Sequence, residues 1–255
     1  MIIRSTAQDG LETILPSTEV KRNTYRPVRG YQVIPFTPLW ENCTDLERSN
    51  GCVWSEMFRS VDTVGLNDGS VIGGAPVDDG VVLDGGSQSV TYSVGSTVFN
   101  DTKTSTTFEF YPDFDYDYVN TRFFYDTDGG NYSAYKLSSA GGDRLIVKCG
   151  GTVIANSAPA TYGPHWKAGQ RNVLVVSTTS GTNNVYLNGV NVSSTATAWT
   201  PAAASTFYIG ISSANTSRFD GTISKVQIYD TLITAQGAAA MYNLGTFTND
   251  GTMST

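Results

Sequence analysis

The sequence predicts an all-β fold, a sandwich or a barrel, with an extended N-terminal arm and one short C-terminal helix. Three observations carry this reading. The 255 residues are 40% hydrophobic but only 15% charged. Glycine, serine, threonine, asparagine and tyrosine fill the balance, a mix suited to strands joined by tight turns. Runs rich in alanine, leucine, glutamate and lysine, which favour helices, are nearly absent. From Val53 onward, short alternating or apolar runs recur between Gly, Asn and Asp turns, the spacing expected of many paired strands.

The elements follow in order. Residues 1–36 are punctuated by Pro16, Pro27 and Pro35 and hold no lasting apolar period; they read as an extended arm with one short strand at YQVIPF. Residues 37–53 connect the arm to the main body, 54–244, and 245–255 form a tail. Strands are expected in segments such as GVVLDG, SVTYSV, TSTTFEFY, TRFFYD, YSAYKLS, RLIVKC, TVIAN, NVLVVSTT, TFYIGIS and TISKVQIYD. Asn188-Gly189, between two alternating runs, predicts a tight hairpin. Near the C-terminus Thr234 is placed to cap a helix over Ala235–Tyr242.

Charge divides the chain. The arm holds Arg4, Lys21, Arg22, Arg26 and Arg29 against Asp9, Glu12 and Glu19, a net +2, which leaves −9 for the rest of a −7 chain. The acidic body argues against nucleic acid as a partner. Within the arm, Lys21, Arg22, Arg26 and Arg29 are the candidates for docking on an acidic partner; a solvated leader explains them equally well. No apolar run approaches the roughly 18 residues needed to span a bilayer, and the apolar region of the opening MIIRST is two residues long, so neither membrane insertion nor a standard signal peptide is expected. The five N-x-S/T sequons reflect the abundance of these residue types. Of three cysteines, Cys43 and Cys52 could close a small loop in an oxidising environment, whereas Cys149 reads as a core residue at a strand end. A single histidine, His165, and the lack of any CxxC make zinc improbable.

Four stretches in the right order resemble a known family. VGLNDGSVIGGAPVDDGVVLDGGSQSVTYSV resembles the opening of laminin-G-like, concanavalin A-like domains. STTFEFYPDFD resembles their next strand, and PHWKAGQRNVLVVSTTSGTNNVYLNGVNV their central strand and hairpin. FYIGISSANTSRFDGTISKVQIYDTLITAQGAAAMYN is similar to their closing strand and small helix. Trp and His are swapped at 165–166, and the last helix lacks its usual acidic residues. The resemblance covers roughly residues 54–244 and implies a two-sheet antiparallel jelly-roll sandwich. It would bury Val81, Leu83, Phe108, Phe110, Leu145, Val147, Leu174, Val176, Tyr186, Ile209, Val226 and Ile228 between the sheets, with a tight crossing at Gly221.

The most conspicuous chemistry is FEFYPDFDYDYV, where Asp113, Asp115 and Asp117 alternate with aromatic residues. Glucanases on the same sandwich carry catalytic acids at this spacing, which leaves a glycoside hydrolase as a remote reading. The stretch lacks glutamate, however, and follows Pro112, which marks a strand end; a wet acidic loop is the favoured reading. The resemblance also implies one structural Ca²⁺, with Asp84, Asp126 and Asp220 of the Asp-Gly turns as candidate ligands, although turn chemistry alone explains each. No other cofactor is required. Tyr116, Tyr118, Trp166 and Trp199 are candidates for stacking on sugar rings, and core packing is the alternative for each. No Ser-His-Asp set and no phosphate loop is present. The reading is therefore not an enzyme. It is a structural protein of a virus particle, a bacteriophage capsid decoration, head-fibre or tail component. Such a protein would be assembled in the host cytoplasm, held by its arm to other virion proteins and to further copies of itself, and exposed on the virion surface. The alternative is a carbohydrate-binding or adhesion module recognising host or cell-surface glycans.

Overall fold

The computed structural model describes residues 80–86, 88–93, 102–140 and 142–244, together with five earlier strand segments. Two of those, β1 (Arg4–Thr6) and β2 (Glu12–Ile14), pair with each other in a small unit, Met1–Pro35. The arm thus contains a two-stranded antiparallel ribbon that its sequence does not announce. YQVIPF, the four docking cations and Cys43 lie outside the described residues.

All further elements belong to the second unit, Phe36–Thr255. One sheet has seven strands among the described residues: β4 (Gly69–Ile72), β7 (Ser89–Ser93), β16 (Thr206–Ile209), β9 (Arg122–Thr127), β10 (Ser133–Leu137), β11 (Arg144–Cys149) and β12 (Thr152–Ser157), in that order across the sheet. The other runs β5 (Ala75–Val77), β6 (Gly80–Asp84), β17 (Asp220–Tyr229), β8 (Lys103–Pro112), β13 (Asn172–Thr179), β14 (Thr182–Leu187) and β15 (Val190–Thr195). In the latter, β17 lies along β8 on one side and pairs on the other with β6 and then with β3 (Cys52–Met57). Every pairing is antiparallel. The result is the two-sheet jelly-roll sandwich expected, and it begins two residues earlier than the sequence boundary at 54.

The core between the sheets is strongly aromatic. Phe110 packs 5.0 Å from Phe124 and 5.6 Å from Trp166, and Phe114 lies 5.5 Å from Phe219, ring centre to ring centre. The expected core residues are all buried, with one correction: Tyr186 faces the other way. It joins Val173, Val175, Tyr229 and Met241 in a second cluster, on the outer face of the eight-stranded sheet beneath the C-terminal helix Ala235–Leu244. That cover explains why seven consecutive residues of β13 are buried, since a strand covered on both faces loses its alternation. The helix starts where expected: Thr234 Oγ1 accepts the Gly237 amide. Along one side the edge strands β12 and β15 are joined by side chains, Ser157 Oγ donating to Val192 O at 2.8 Å and Thr195 Oγ1 to Ile154 O at 2.6 Å.

Candidate functional site

The acidic stretch leaves β8 at Pro112. Asp113, Asp115, Asp117 and Val119 point to solvent, while Phe114, Tyr116 and Tyr118 turn towards the core. The alternation of a strand persists here in a loop because buried donors take its carbonyl groups in turn. Trp166 Nε1 donates to Phe114 O at 3.0 Å, Tyr162 Oη to Tyr116 O at 3.0 Å, and the fully buried Lys136 Nζ to Tyr118 O. Lys136 also pairs with Asp143 at 3.2 Å. The three aspartates are the wet edge of an aromatic plug. Glycoside hydrolysis requires two carboxyl groups facing one bond across a cleft, and an exposed loop edge provides no such cleft.

The three proposed calcium ligands do not form one set. Asp84 and Asp220 stand opposite each other on β6 and β17. Asp220 is held 3.5 Å from Arg122, and Asp84 accepts the Gly86 amide at 2.8 Å. Asp126 lies on the other sheet, where it accepts the amides of Thr127 and Ser213 at 2.9 and 2.7 Å. Among the described residues no three His, Cys, Asp or Glu side chains are grouped to hold a metal.

The aromatic candidates also divide. Trp166 and Trp199 are only 7% and 4% exposed and are core residues; Trp199 Nε1 donates to Thr178 Oγ1 and Asn183 Oδ1 at 2.9 and 3.1 Å. Neither can reach a ligand without opening the sandwich. Tyr118 is half-buried, and the Arg122 guanidinium lies over its ring at 5.1 Å. Tyr116 stands edge-on to Tyr162 at 6.2 Å. Both belong to the loop's attachment to the core.

A different aromatic surface emerges on the outer face of the seven-stranded sheet. Phe123 of β9 and Tyr135 of β10 are register partners, and their rings stack 4.4 Å apart at 13°. On the same face Tyr208 of β16 pairs with Asp126, three residues along β9 from Phe123, on one side and with Thr91 on the other. Phe123, Tyr135 and Tyr208 are all half-buried. Lys148 Nζ lies 6.0 Å from the Tyr135 ring centre. Burial pushes the Asp126 carboxyl above its ordinary range, against the pull of its Ser213 and Thr127 hydrogen bonds and of Lys148. Burial, with the charge of Asp126, likewise raises the Tyr135 hydroxyl. The sequence shows Phe123-Phe124 and Tyr135 as strand residues, but which of them share a face depends on the register of β9 against β10, which shifts between Ala134 and Tyr135. Chemically, the face offers flat apolar ring surfaces flanked by hydroxyl, amide and ammonium groups.

Comparison with known proteins places the fold. No curated protein sequence matches the chain. Among solved structures, the botulinum neurotoxin serotype D binding domain superposes with a TM-score of 0.56 at 10% identity, over 76% of this chain and 52% of that one. Trypanosoma rangeli sialidase in complex with 2,3-difluorosialic acid gives 0.54 at 12% identity, over 80% and 36%. Domain 4 of AbnA, a GH43 extracellular arabinanase from Geobacillus stearothermophilus in complex with arabinotriose, gives 0.49 at 19%, over 74% and 87%. The chain thus spans about half of the toxin domain and about a third of the sialidase. At these identities the likeness is one of fold alone. Residues 84–239 match the Laminin_G_3 family, and with more than half of its length so matched the chain belongs to the concanavalin A-like lectin/glucanases superfamily.

Proposed function

We propose that this protein is a non-catalytic carbohydrate-binding sandwich that holds its ligand on the outer face of the seven-stranded sheet. The observation that carries the reading is the half-buried Phe123–Tyr135 stack, on a face that also carries Tyr208. Aromatic rings present the apolar faces against which sugar C–H groups pack, and a Tyr hydroxyl adds a polar handle. Thr91 and the exposed Asn156 add polar groups on the same face. The carboxylates support binding over catalysis. Glu109 is engaged by Arg171 at 2.6 Å, Asp220 by Arg122 and Asp126 by two amides, while Asp113, Asp115 and Asp117 are exposed. The test is a panel of oligosaccharides against the full chain. Tyr135→Ala and Phe123→Ala should each weaken binding about tenfold, the order of one lost stacking contact, with a cooperative β-type melt kept at a somewhat lower temperature because the cross-strand ring pair is lost. Binding that survives both changes but disappears in Tyr118→Ala would move the site to the loop rim; binding to no glycan sinks the reading.

A second reading, a structural protein on the surface of a virus particle, is favoured by the charge asymmetry alone: a net +2 arm carrying Lys21, Arg22, Arg26 and Arg29 on an acidic body. The two are compatible, since a particle protein can also touch glycans.

A further inference from the structure

Cations are scarce in this chain, and most of those described are engaged. Arg122, Lys136 and Arg171 are ion-paired. Lys167 meets Tyr242, Arg218 holds Asn215, and Lys225 is engaged as well. Two others stand on one face of one strand. Arg144 and Lys148 lie on β11 with Ile146 between them, the side on which Leu145 and Val147 do not point. Both are half-buried, and among the described residues neither makes an ion pair. Four residues of strand separate them, about 13 Å. Ile146 between them is the register partner of Tyr135, so the ring lies opposite the midpoint of the two cations. Asp126 faces the same side and feels the charge of Lys148, but the residue is buried and its carboxylate is held by two amides.

We infer that this face selects a linear acidic oligosaccharide, one whose sugar rings lie on Tyr135 and Phe123 while carboxylate groups along the chain meet Lys148 and Arg144. The inference rests on the carbohydrate-binding reading and names its ligand class. A protein with net charge −7 repels polyanions as a whole, so two cations outside any described ion pair, flanking an aromatic centre, are a local exception with a specific use. Their spacing suits an extended chain rather than a single terminal sugar, because one pyranose cannot reach both. Charge-assisted hydrogen bonds to a carboxylate are stronger than neutral ones and weaken as salt screens them.

The experiment titrates the full chain with oligogalacturonate and, in parallel, with a neutral oligosaccharide of the same length, at low and high salt. The expected result is at least about tenfold preference for the uronate at low salt, eroded by salt. Arg144→Met/Lys148→Met should remove that preference, so that the uronate binds no more tightly than the neutral ligand at either salt concentration. Tyr135→Ala should weaken both ligands. Lys103→Met, on the other sheet, is the charge control and should have no effect. Equal affinity for the two ligands, or an equal loss in the Lys103 variant, overturns the acidic-ligand inference and leaves the carbohydrate reading standing. Binding of neither ligand overturns the acidic-ligand inference, and the carbohydrate reading falls with it only if no member of the oligosaccharide panel binds.

Discussion

Asp126 and Asp128 stand two residues apart and are driven in opposite directions. Burial raises the Asp126 carboxyl from its ordinary 3.8. Asp128 also suffers desolvation, but the Thr206 amide at 3.0 Å and the Ser205 hydroxyl and amide at 2.7 and 2.8 Å outweigh it and hold the group below 3.8. The stability consequences are opposite in sign. A raised folded pKa gives a contribution fully present below 3.8 and lost as pH rises through the folded value. The lowered one gives a contribution present above 3.8 and lost as pH falls through its folded value. The stability of the wild type relative to Asp126→Asn should therefore grow on acidification, while that relative to Asp128→Asn should shrink. Thermal melts of the three proteins across the carboxylate range check this, and two parallel trends would contradict it. Asn188 illustrates how far single residues are legible. Asn-Gly announced the hairpin, and Asn188 has the positive φ of 53° such a turn uses. Nothing local revealed that its side chain also accepts the Val173 amide at 2.8 Å and donates to His165 O and Asn172 Oδ1 at 2.7 and 3.0 Å. Those partners come from other segments.

At the level of elements, the central pair β8–β17 organises the molecule, and its tightest point is Gly221. There φ is 129°, and a Cβ would lie 2.2 Å from Tyr111 O. Gly221→Ala meets backbone rather than a flexible side chain, so it should cost about 3 kcal/mol or more. A chemical-denaturation midpoint close to wild type would show that β17 can shift against β8. The crossing was expected from Phe-Asp-Gly, as was the C-terminal helix from its Thr234 cap. The pairing of β3 with β17 was not, because the two strands lie more than 160 residues apart and nothing local to Cys52–Met57 marks its partner. The one-turn helix Pro159–Tyr162 was equally silent: four residues are too few to show a helical period.

For the whole molecule, the chain divides at Pro35, and the ribbon β1–β2 lies in the first unit. A chain lacking residues 1–36 should keep a cooperative β-type melt, since every described sandwich strand lies later. On the virus-particle reading proposed above, the net positive arm is the attachment, so the same truncation, or joint neutralisation of Lys21, Arg22, Arg26 and Arg29, should abolish co-sedimentation with assembled particles and leave the sandwich soluble. Full-occupancy binding by the truncated protein would transfer attachment to the sandwich face; an unfolded truncation would make the arm part of the core.

The sequence by itself determined the all-β class, the closing hairpin and helix, most of the core and the exposed character of Asp113, Asp115 and Asp117. These depend on period, turn chemistry and composition, which act between neighbours along the chain. Only the tertiary structure decided which aromatic residues are accessible. Trp166 and Trp199 vanish into the core because distant strands close over them. Phe123 and Tyr135 stack because antiparallel register sets them side by side, and Tyr208 reaches the same face from a strand far away in sequence. Arg144 and Lys148 come onto that face by the same register, which seats Ile146 against Tyr135, and neither cation forms an ion pair among the described residues.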